Sequence, residues 1–248
     1  MARRRGEDKL FKREKEKRDF ARKKANKELV KSIIIACEDS VSSPTYFKMI
    51  IDTLKQKKKI TPHSIIVPHD GHTEPTGVLN NLKKYNKNGF TYKDYEHKWI
   101  VIDRDSECRG GGHTKENFKE ALKNAKSERK DLHIDVAYSN DSFELWYLLH
   151  FDYRDTAIMR DEIIEKVIIK LKEVGPHIFS KLTKYNIKEE RYTKHIFKTL
   201  LSSQEDAIQN AKKLLKFHGN HHKPEDDNPS TTVYKLVILL NNLQNSMV

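Results

Sequence analysis

The chain has 248 residues, of which 36% are hydrophobic and 34% are charged, and its formal net charge at pH 7 is +12. This length suits one large domain, or one domain with an appended subdomain, and it allows an ordinary hydrophobic core. No apolar run approaches the roughly 20 residues that a membrane-spanning helix needs, and the chain does not open with the apolar stretch of a signal peptide. Two cysteines, Cys37 and Cys108, argue against a disulfide framework. We therefore expect a cytoplasmic protein without a membrane segment.

The net positive charge favours a polyanionic partner, and nucleic acid is the first candidate. Basic residues are concentrated at the N-terminus, where residues 1–32 hold 14 Lys and Arg against six acidic residues. Few apolar residues interrupt them, so we predict that residues 1–29 form a basic arm, either helical or flexible. Arg3, Arg4 and Arg5 are its candidate phosphate contacts. The alternative is a charged face that only confers solubility or binds an acidic protein.

Four short apolar runs alternate with helical patterns after this arm. The runs are residues 33–37, 64–67, 99–102 and 133–138. Runs that are branched and apolar on both faces are typical of buried parallel strands. Between them, Pro44 opens one helix, and Thr73 is a candidate cap for another helix with Pro75 in its first turn. This alternation predicts an α/β fold with a doubly wound parallel sheet of about four strands within residues 30–155.

The remainder of the chain has a different pattern, and no further strand is predicted after Phe151. Helical spacing of apolar residues recurs over residues 158–174, about 188–216 and 231–245. We therefore predict that residues 156–248 form a helical C-terminal subdomain.

Acidic residues follow two of the predicted strands: Glu38 ends the first, and Asp103 and Asp105 follow the third. The carboxyl ends of parallel strands meet at one edge of a sheet, so these carboxylates should lie close together. Converging carboxylates repel unless a cation lies between them, and Mg²⁺ or Mn²⁺ is the oxygen-seeking choice. We predict a metal site for phosphodiester cleavage, with Glu38 alternatively a general acid or base. The plainer interpretation is that these are loop carboxylates that cap helices.

Further polar residues fall at the same edge. Glu144 and Asn140 follow the fourth strand, and Glu144 is a candidate catalytic residue, although the helix dipole alone also favours a carboxylate at a helix start. His69 and His72 follow the second strand as candidate phosphate contacts or proton carriers, or as parts of a polar turn.

Three cations are close in sequence to this edge and are candidate nucleic-acid contacts: Arg104, Arg109 and Lys115. A second polar cluster, at residues 218–227, contains three histidines and three acidic residues. Because no cysteine pair accompanies the histidines, a polar loop is favoured there over a zinc site.

The order of strand–Glu and strand–Asp-x-Asp resembles the Toprim fold of topoisomerases, primases and OLD-type nucleases. The chain more closely resembles the RloB family, also called AbiLii, of bacterial and archaeal defence loci. The segments that carry this resemblance are residues 33–38, 44–47, 102–105, 139–151 and 228–233. The sequence departs from the family at Asp39 and Ser43, where the family usually has Gly and a second Glu. Asp39 is therefore a further candidate carboxylate of the site.

The resemblance implies a Mg²⁺-dependent nuclease effector of an antiviral defence system that acts beside an AAA/ABC-type ATPase. RNA, with tRNA as the first example, is the expected substrate before DNA. No Walker A motif occurs in the sequence, so any use of ATP is expected from the partner. The rival interpretation is a non-catalytic nucleic-acid-binding or adaptor subunit with a degenerate Toprim site, which Asp39 and Ser43 support. The sequence indicates no oligomeric state.

Overall fold

The structure, a computed structural model, describes residues 31–71, 74–105, 114–127 and 129–245. The described strands are β1 Ile33–Cys37, β2 Ile65–Ile66, β3 Asn86–Lys87, β4 Phe90–Thr91, β5 His97–Asp103, β6 Asp135–Asn140 and β7 Ser230–Thr231. The described helices are α1 Ser42–Gln56, α2 Pro75–Lys84, α3 Lys115–Ala125, α4 Glu144–Leu148, α5 Arg160–Val174, α6 Pro176–Phe179, α7 Glu190–Leu200, α8 Gln204–His218 and α9 Val233–Asn245.

A five-stranded sheet organises these elements in the order β2–β1–β5–β6–β7. The first four strands of that order are parallel, and β7 pairs antiparallel with the end of β6. Strands β3 and β4 form a separate antiparallel hairpin. The mostly parallel α/β architecture confirms the fold class predicted from the alternating runs.

Alternate residues of the central strands enter two cores on opposite faces of the sheet, as the two-residue repeat of a strand requires. On one face Ile34, Ile100 and Tyr138 pack with apolar residues of α2 and α3. On the other face Ile35 and Val101 belong to one buried cluster with apolar residues of α1, α4, α5, α7, α8 and α9. Because branched apolar residues are buried on both faces of the sheet, the sequences of these strands are continuously apolar and do not alternate with polar residues.

The predicted helical C-terminus is present, but the prediction of no strand after Phe151 was wrong. β7 is a two-residue strand, too short to leave a periodic signal, and it extends the sheet beside β6. The region predicted as one helix over about 188–216 is two helices, α7 and α8, separated by a 3₁₀ turn at Leu201–Ser203. The predicted cap Thr73 lies outside the described residues. The division into domains remains a prediction, and no described helix has the length and apolarity needed to cross a membrane.

Candidate functional site

Glu38 and Asp103 lie at the carboxyl ends of two neighbouring parallel strands. β1 and β5 pair in a register that sets Cys37 opposite Val101, and the backbone N–H of Glu38 donates to the Val101 carbonyl over 3.0 Å. The backbone N–H of Asp103 in turn donates to Glu38 Oε2 over 2.9 Å. Both residues are buried, so the sheet itself fixes the distance between these two acidic groups.

Asp105 joins them through an unusual backbone conformation. Its φ is 31°, in the left-handed region that Asp and Asn tolerate better than most residues. Its backbone N–H donates to the carbonyl of Asp141 over 3.1 Å, which ties the segment after β5 to the segment after β6. The Asp105 side chain is thereby held on the same side of the sheet edge as Asp103.

A guanidinium group connects these two aspartates. Arg160 Nη1 donates to Asp105 Oδ2 over 2.7 Å, and Nη2 donates to Asp103 Oδ2 over 3.3 Å. Arg160 is the first residue of α5, and its backbone N–H donates to Asp141 Oδ2 over 2.9 Å. Sequence reasoning missed Arg160, because it is more than 50 residues from both aspartates in the chain and no local pattern marks it.

Glu144 is the fourth acidic residue of the site and is completely buried at the start of α4. The Ser42 hydroxyl donates to Glu144 Oε1 over 3.0 Å, and Lys188 Nζ lies 3.7 Å from the same oxygen. Burial alone would raise the pKa of this carboxyl, but Lys188 and Arg160 outweigh it and hold the pKa below its ordinary value. Glu144 is therefore held as a carboxylate, and Lys188 is a second cation that sequence reasoning missed.

The pKa values of Glu38, Asp103 and Asp105 are shifted in the opposite direction. Burial, followed by the nearby charge of Asp103, raises the pKa of Glu38 well above its ordinary value. Burial also raises the pKa of Asp103 against the opposing effect of Arg160. Burial likewise raises the pKa of Asp105, again against the opposing effect of the Arg160 guanidinium. For these three groups burial therefore outweighs the nearby cations.

Asp39 and Ser43 contact each other directly. The Asp39 carboxylate accepts hydrogen bonds from the backbone N–H groups of Val41, over 2.9 Å, and Ser43, over 3.0 Å, and from the Ser43 hydroxyl. Asp39 thus satisfies backbone donors at the start of α1, which is the role of a helix cap. The remaining polar neighbour is His69, whose Nε2 pairs with the Glu38 carbonyl oxygen over 2.9 Å.

These side chains surround an open cleft of about 270 Å³ that we call the acidic cleft. Its charged and titratable lining is Glu38, Asp39, His69, Asp103, Asp105, Arg160 and Lys188. Among the described residues, four carboxyl groups and two permanently charged cations therefore face this space. The structure thus brings together Glu38, Asp103 and Asp105 as predicted from strand order, with Glu144 behind Lys188. Their catalytic and metal-binding roles remain predictions.

The other candidate residues lie outside the cleft or outside the described residues. Asn140 donates from its amide to the Pro224 carbonyl over 3.2 Å. Arg104 is largely buried and donates to the carbonyls of Glu225, over 3.0 Å, and Asp105, over 3.2 Å. Lys115 forms an ion pair with Asp226. The candidates that lie outside the described residues are Arg3, Arg4, Arg5, His72 and Arg109.

The histidine cluster near the C-terminus is a hydrogen-bonded loop, as favoured from the sequence. His222 uses Nδ1 to contact Asp227 Oδ2 over 2.5 Å and Nε2 to contact the Tyr138 hydroxyl. His218 Nε2 pairs with the Pro229 carbonyl over 2.8 Å. The His222 contact with the Tyr138 hydroxyl joins the loop to β6.

The fit of the acidic cleft to a divalent cation depends on both donors and charge. Within the described part of the chain, no group of three or more His, Cys, Asp or Glu residues is already arranged around a common metal position. The donor chemistry is nevertheless suitable, because carboxylate oxygens are the ligands that Mg²⁺ prefers. The lining also holds more carboxyl groups than cations, and a divalent cation would offset that excess. Glu38, Asp103 and Asp105 are the residues that would hold it.

Comparison with known proteins gives a match at the level of the family. No curated protein and no solved structure matches the chain. The model of the RloB-like protein family matches residues 33–240, which include every described strand and all of the acidic cleft. With most of its length matched and the cleft residues inside the match, this chain belongs to the RloB-like family.

Proposed function

We propose that this protein is a Mg²⁺-dependent nuclease effector that cleaves phosphodiester bonds at the acidic cleft. The observation that carries the proposal is the convergence of Glu38, Asp103 and Asp105 at the carboxyl edge of a parallel sheet, with Asp103 N–H 2.9 Å from Glu38 Oε2. Ligands of open α/β sheets bind outside this edge. The cleft is open to solvent on one side and holds both acids and cations, which a phosphodiester substrate needs.

The chain's own groups have distinct roles in this proposal. When bound, Mg²⁺ supplies Lewis-acid polarisation of a phosphate oxygen and lowers the pKa of a bound water. As the alternative to holding the metal, Glu38 is the candidate to accept or donate a proton, since burial and Asp103 raise its pKa. Lys188 and Arg160 neutralise the phosphate charge, and buried Glu144 holds Lys188 in place. Manganese, which also takes oxygen ligands, is the expected substitute.

The substrate and the biological setting are proposed from the family resemblance. RNA, and tRNA in particular, is the first candidate substrate, and DNA is the second. The proposed setting is prokaryotic antiviral defence in the cytoplasm. An AAA/ABC-type ATPase is the proposed partner. The net charge of +12 supports a nucleic-acid ligand of either kind.

Incubation of the purified full-length chain with RNA and with single-stranded DNA tests this proposal. We expect cleavage in Mg²⁺ or Mn²⁺, none with a chelator, and none for Asp103→Asn. Asp131→Asn is the matched control, because Asp131 is an exposed carboxylate before the amino end of β6 and pairs with Arg129. Cleavage that survives in Asp103→Asn as strongly as in the control would contradict the proposal.

A second function is favoured by one observation. Arg160 already pairs with Asp103 and Asp105, as expected if the site had lost its metal and become a structural ion pair in a nucleic-acid-binding or adaptor subunit. In that case the protein would bind nucleic acid equally well with or without Mg²⁺. Asp103→Asn would then leave both binding and biological activity intact.

A further inference from the structure

Arg160 contacts one oxygen of each of the two aspartates that are proposed to hold the metal. The guanidinium donates to the Oδ2 atoms of Asp103 and Asp105, over 3.3 and 2.7 Å. A divalent cation that bridged the two carboxylates through these oxygens would have to displace the guanidinium. Because a guanidinium and a metal ion repel each other and compete for acceptors, both cannot occupy this position together.

The contact made by Arg160 is only partly satisfied. The bond to Asp103 is long for a charge-assisted pair, which usually measures about 2.7–2.9 Å. Its Nε is buried and has no hydrogen-bond partner among the described residues. A buried donor without a partner is unusual and costs stability. The guanidinium is therefore less well bound than an Arg in a purely structural ion pair.

The backbone of Arg160 is anchored independently of its side chain. Its N–H donates to Asp141 Oδ2 over 2.9 Å at the first turn of α5, and Ile163 and Ile164 bury the same turn in the core. The side chain is 24% exposed and borders the open cleft. Rotation about the side-chain bonds can thus carry the guanidinium from the aspartates into the cleft without moving the helix.

We propose that Arg160 and a divalent cation exchange at Asp103 and Asp105, and that the displaced guanidinium then binds a phosphate of the substrate. In the metal-free protein Arg160 supplies the positive charge that keeps the two aspartates together. Once the cation takes over that role, the guanidinium is free for a phosphate group, for which its planar donors are suited. This inference rests on the proposed function, since it assigns the substrate's phosphate to a named side chain of the same cleft.

Titration calorimetry of the full-length protein with Mg²⁺ or Mn²⁺ alone tests the exchange without relying on activity. Arg160→Gln should bind the metal about ten- to a hundredfold more tightly than wild type, because two charge-assisted hydrogen bonds no longer have to be broken. Arg160→Lys keeps one charge but cannot bridge both aspartates, so its affinity should lie between the two. Circular dichroism establishes that each variant is folded.

Lys188→Gln is the matched control for simple charge removal. Lys188 lines the same cleft and pairs with Glu144, but no hydrogen bond joins it to Asp103 or Asp105 among the described residues. A general loss of positive charge would tighten metal binding equally in Lys188→Gln and Arg160→Gln. If Arg160 and the metal exchange, Arg160→Gln should increase the affinity for the metal clearly more than Lys188→Gln does. Equal increases in the two variants would overturn the exchange.

The second half of the proposal is tested with inorganic phosphate added to Mg²⁺-saturated protein. We expect Arg160→Gln to bind phosphate about tenfold more weakly than wild type, although it binds the metal more tightly. Unchanged phosphate affinity would overturn the assignment of the guanidinium to substrate. If wild type and variants bind neither metal, the metal site of the proposed function fails together with the exchange. If all bind it equally, only the exchange fails.

Discussion

Asp105 combines a strained backbone with a partly buried charge, and the two can be separated by mutation. Asp and Asn tolerate its φ of 31° better than most other residues with a Cβ do. Its carboxylate is bound to Arg160, yet burial still raises its pKa. Holding the charge in the fold is therefore costly on its own, and Arg160 offsets much of that cost.

Asp105→Asn should abolish cleavage while changing the free energy of unfolding by less than about 1 kcal/mol, because the lost ion pair is offset by relief of desolvation. Asp105→Ala should also be inactive, but its free energy of unfolding should fall by about 1–2 kcal/mol, because alanine is strained at positive φ. Urea denaturation with a cleavage assay measures both quantities. If Asp105→Asn were as destabilised as Asp105→Ala, Asp105 would be mainly a structural cap.

His150 provides a pH-dependent test at a residue away from the cleft lining. It is buried against Trp146, its Nδ1 bonds to the Trp146 carbonyl over 2.8 Å, and its Nε2 has no partner within the described chain. Burial lowers its pKa from 6.5 to about 4. The unfolded chain therefore takes up a proton at higher pH than the folded chain, and stability is lost as pH falls from 6.5 towards 4.

Between about pH 7 and about pH 5, protonation of His150 in the unfolded chain should lower the free energy of unfolding by about 2 kcal/mol. His150→Phe keeps an aromatic ring beside Trp146 and removes the titration. The variant should therefore lose about 2 kcal/mol less than wild type over the same interval, whatever the carboxyl groups contribute to both proteins. Equal losses in the two proteins, measured by urea denaturation at each pH, would show that His150 is not buried as a neutral ring.

At the scale of elements, β7 is the strand most dependent on side-chain hydrogen bonds. It consists of Ser230 and Thr231, and Thr232 follows it directly. The Thr232 hydroxyl accepts from the Tyr138 N–H over 3.0 Å and donates to the Val136 carbonyl over 3.1 Å. β7 itself pairs only with Ser139 and Asn140 of β6. The Thr232 hydroxyl therefore extends the pairing to two further backbone groups of β6.

Thr232→Val should destabilise the protein by about 2 kcal/mol, because it leaves a backbone donor and a backbone acceptor of β6 without this partner. Thr232→Ser keeps the hydroxyl and loses only a methyl group, so it should cost about 1 kcal/mol or less. Thermal and urea unfolding of the two variants make the comparison. Similar losses in both would mean that packing, not hydrogen bonding, secures this edge of the sheet.

The accuracy of the sequence predictions depended on how far apart the interacting residues lie in the chain. The sequence could place Glu38, Asp103 and Asp105 at one edge of the sheet because they lie at or just after the ends of strands with a strong apolar signal. Arg160 and Lys188 were missed because their partners are in distant segments of the chain. Arg160 begins a helix and Lys188 lies in a loop, and neither position has a sequence pattern that predicts an ion pair. β7 was missed because a two-residue strand held by Thr hydroxyls has no periodicity to detect.

At the scale of the whole molecule, charge is divided between an acidic cleft and a basic remainder. Residues 1–32 alone carry 14 Lys and Arg against six acids, a surplus of eight out of the net +12. The predicted arm at residues 1–29 lies outside the described residues, precedes β1 in the chain and contains few apolar residues. The arm is therefore expected to add sequence-independent affinity for nucleic acid and not to stabilise the core.

Deletion of residues 1–29 should weaken binding to all nucleic acids and flatten the dependence of log K on log salt. Each lost phosphate contact reduces the slope by about 0.9 on B-DNA and about 0.7 on single strands. The truncated protein should unfold at the same temperature as the full chain. An unchanged slope in filter-binding or anisotropy titrations would assign the arm to solubility or to a protein partner.

The central claim is that the acidic cleft cleaves nucleic acid, with RNA as the first substrate. The most direct measurement is to sequence the ends of cellular RNA after brief expression of the wild-type protein, with Asp103→Asn expressed to the same level beside it. We predict new, recurrent RNA ends in wild type that are absent from Asp103→Asn. RNA ends that are the same in both strains as in cells without the protein would contradict the claim.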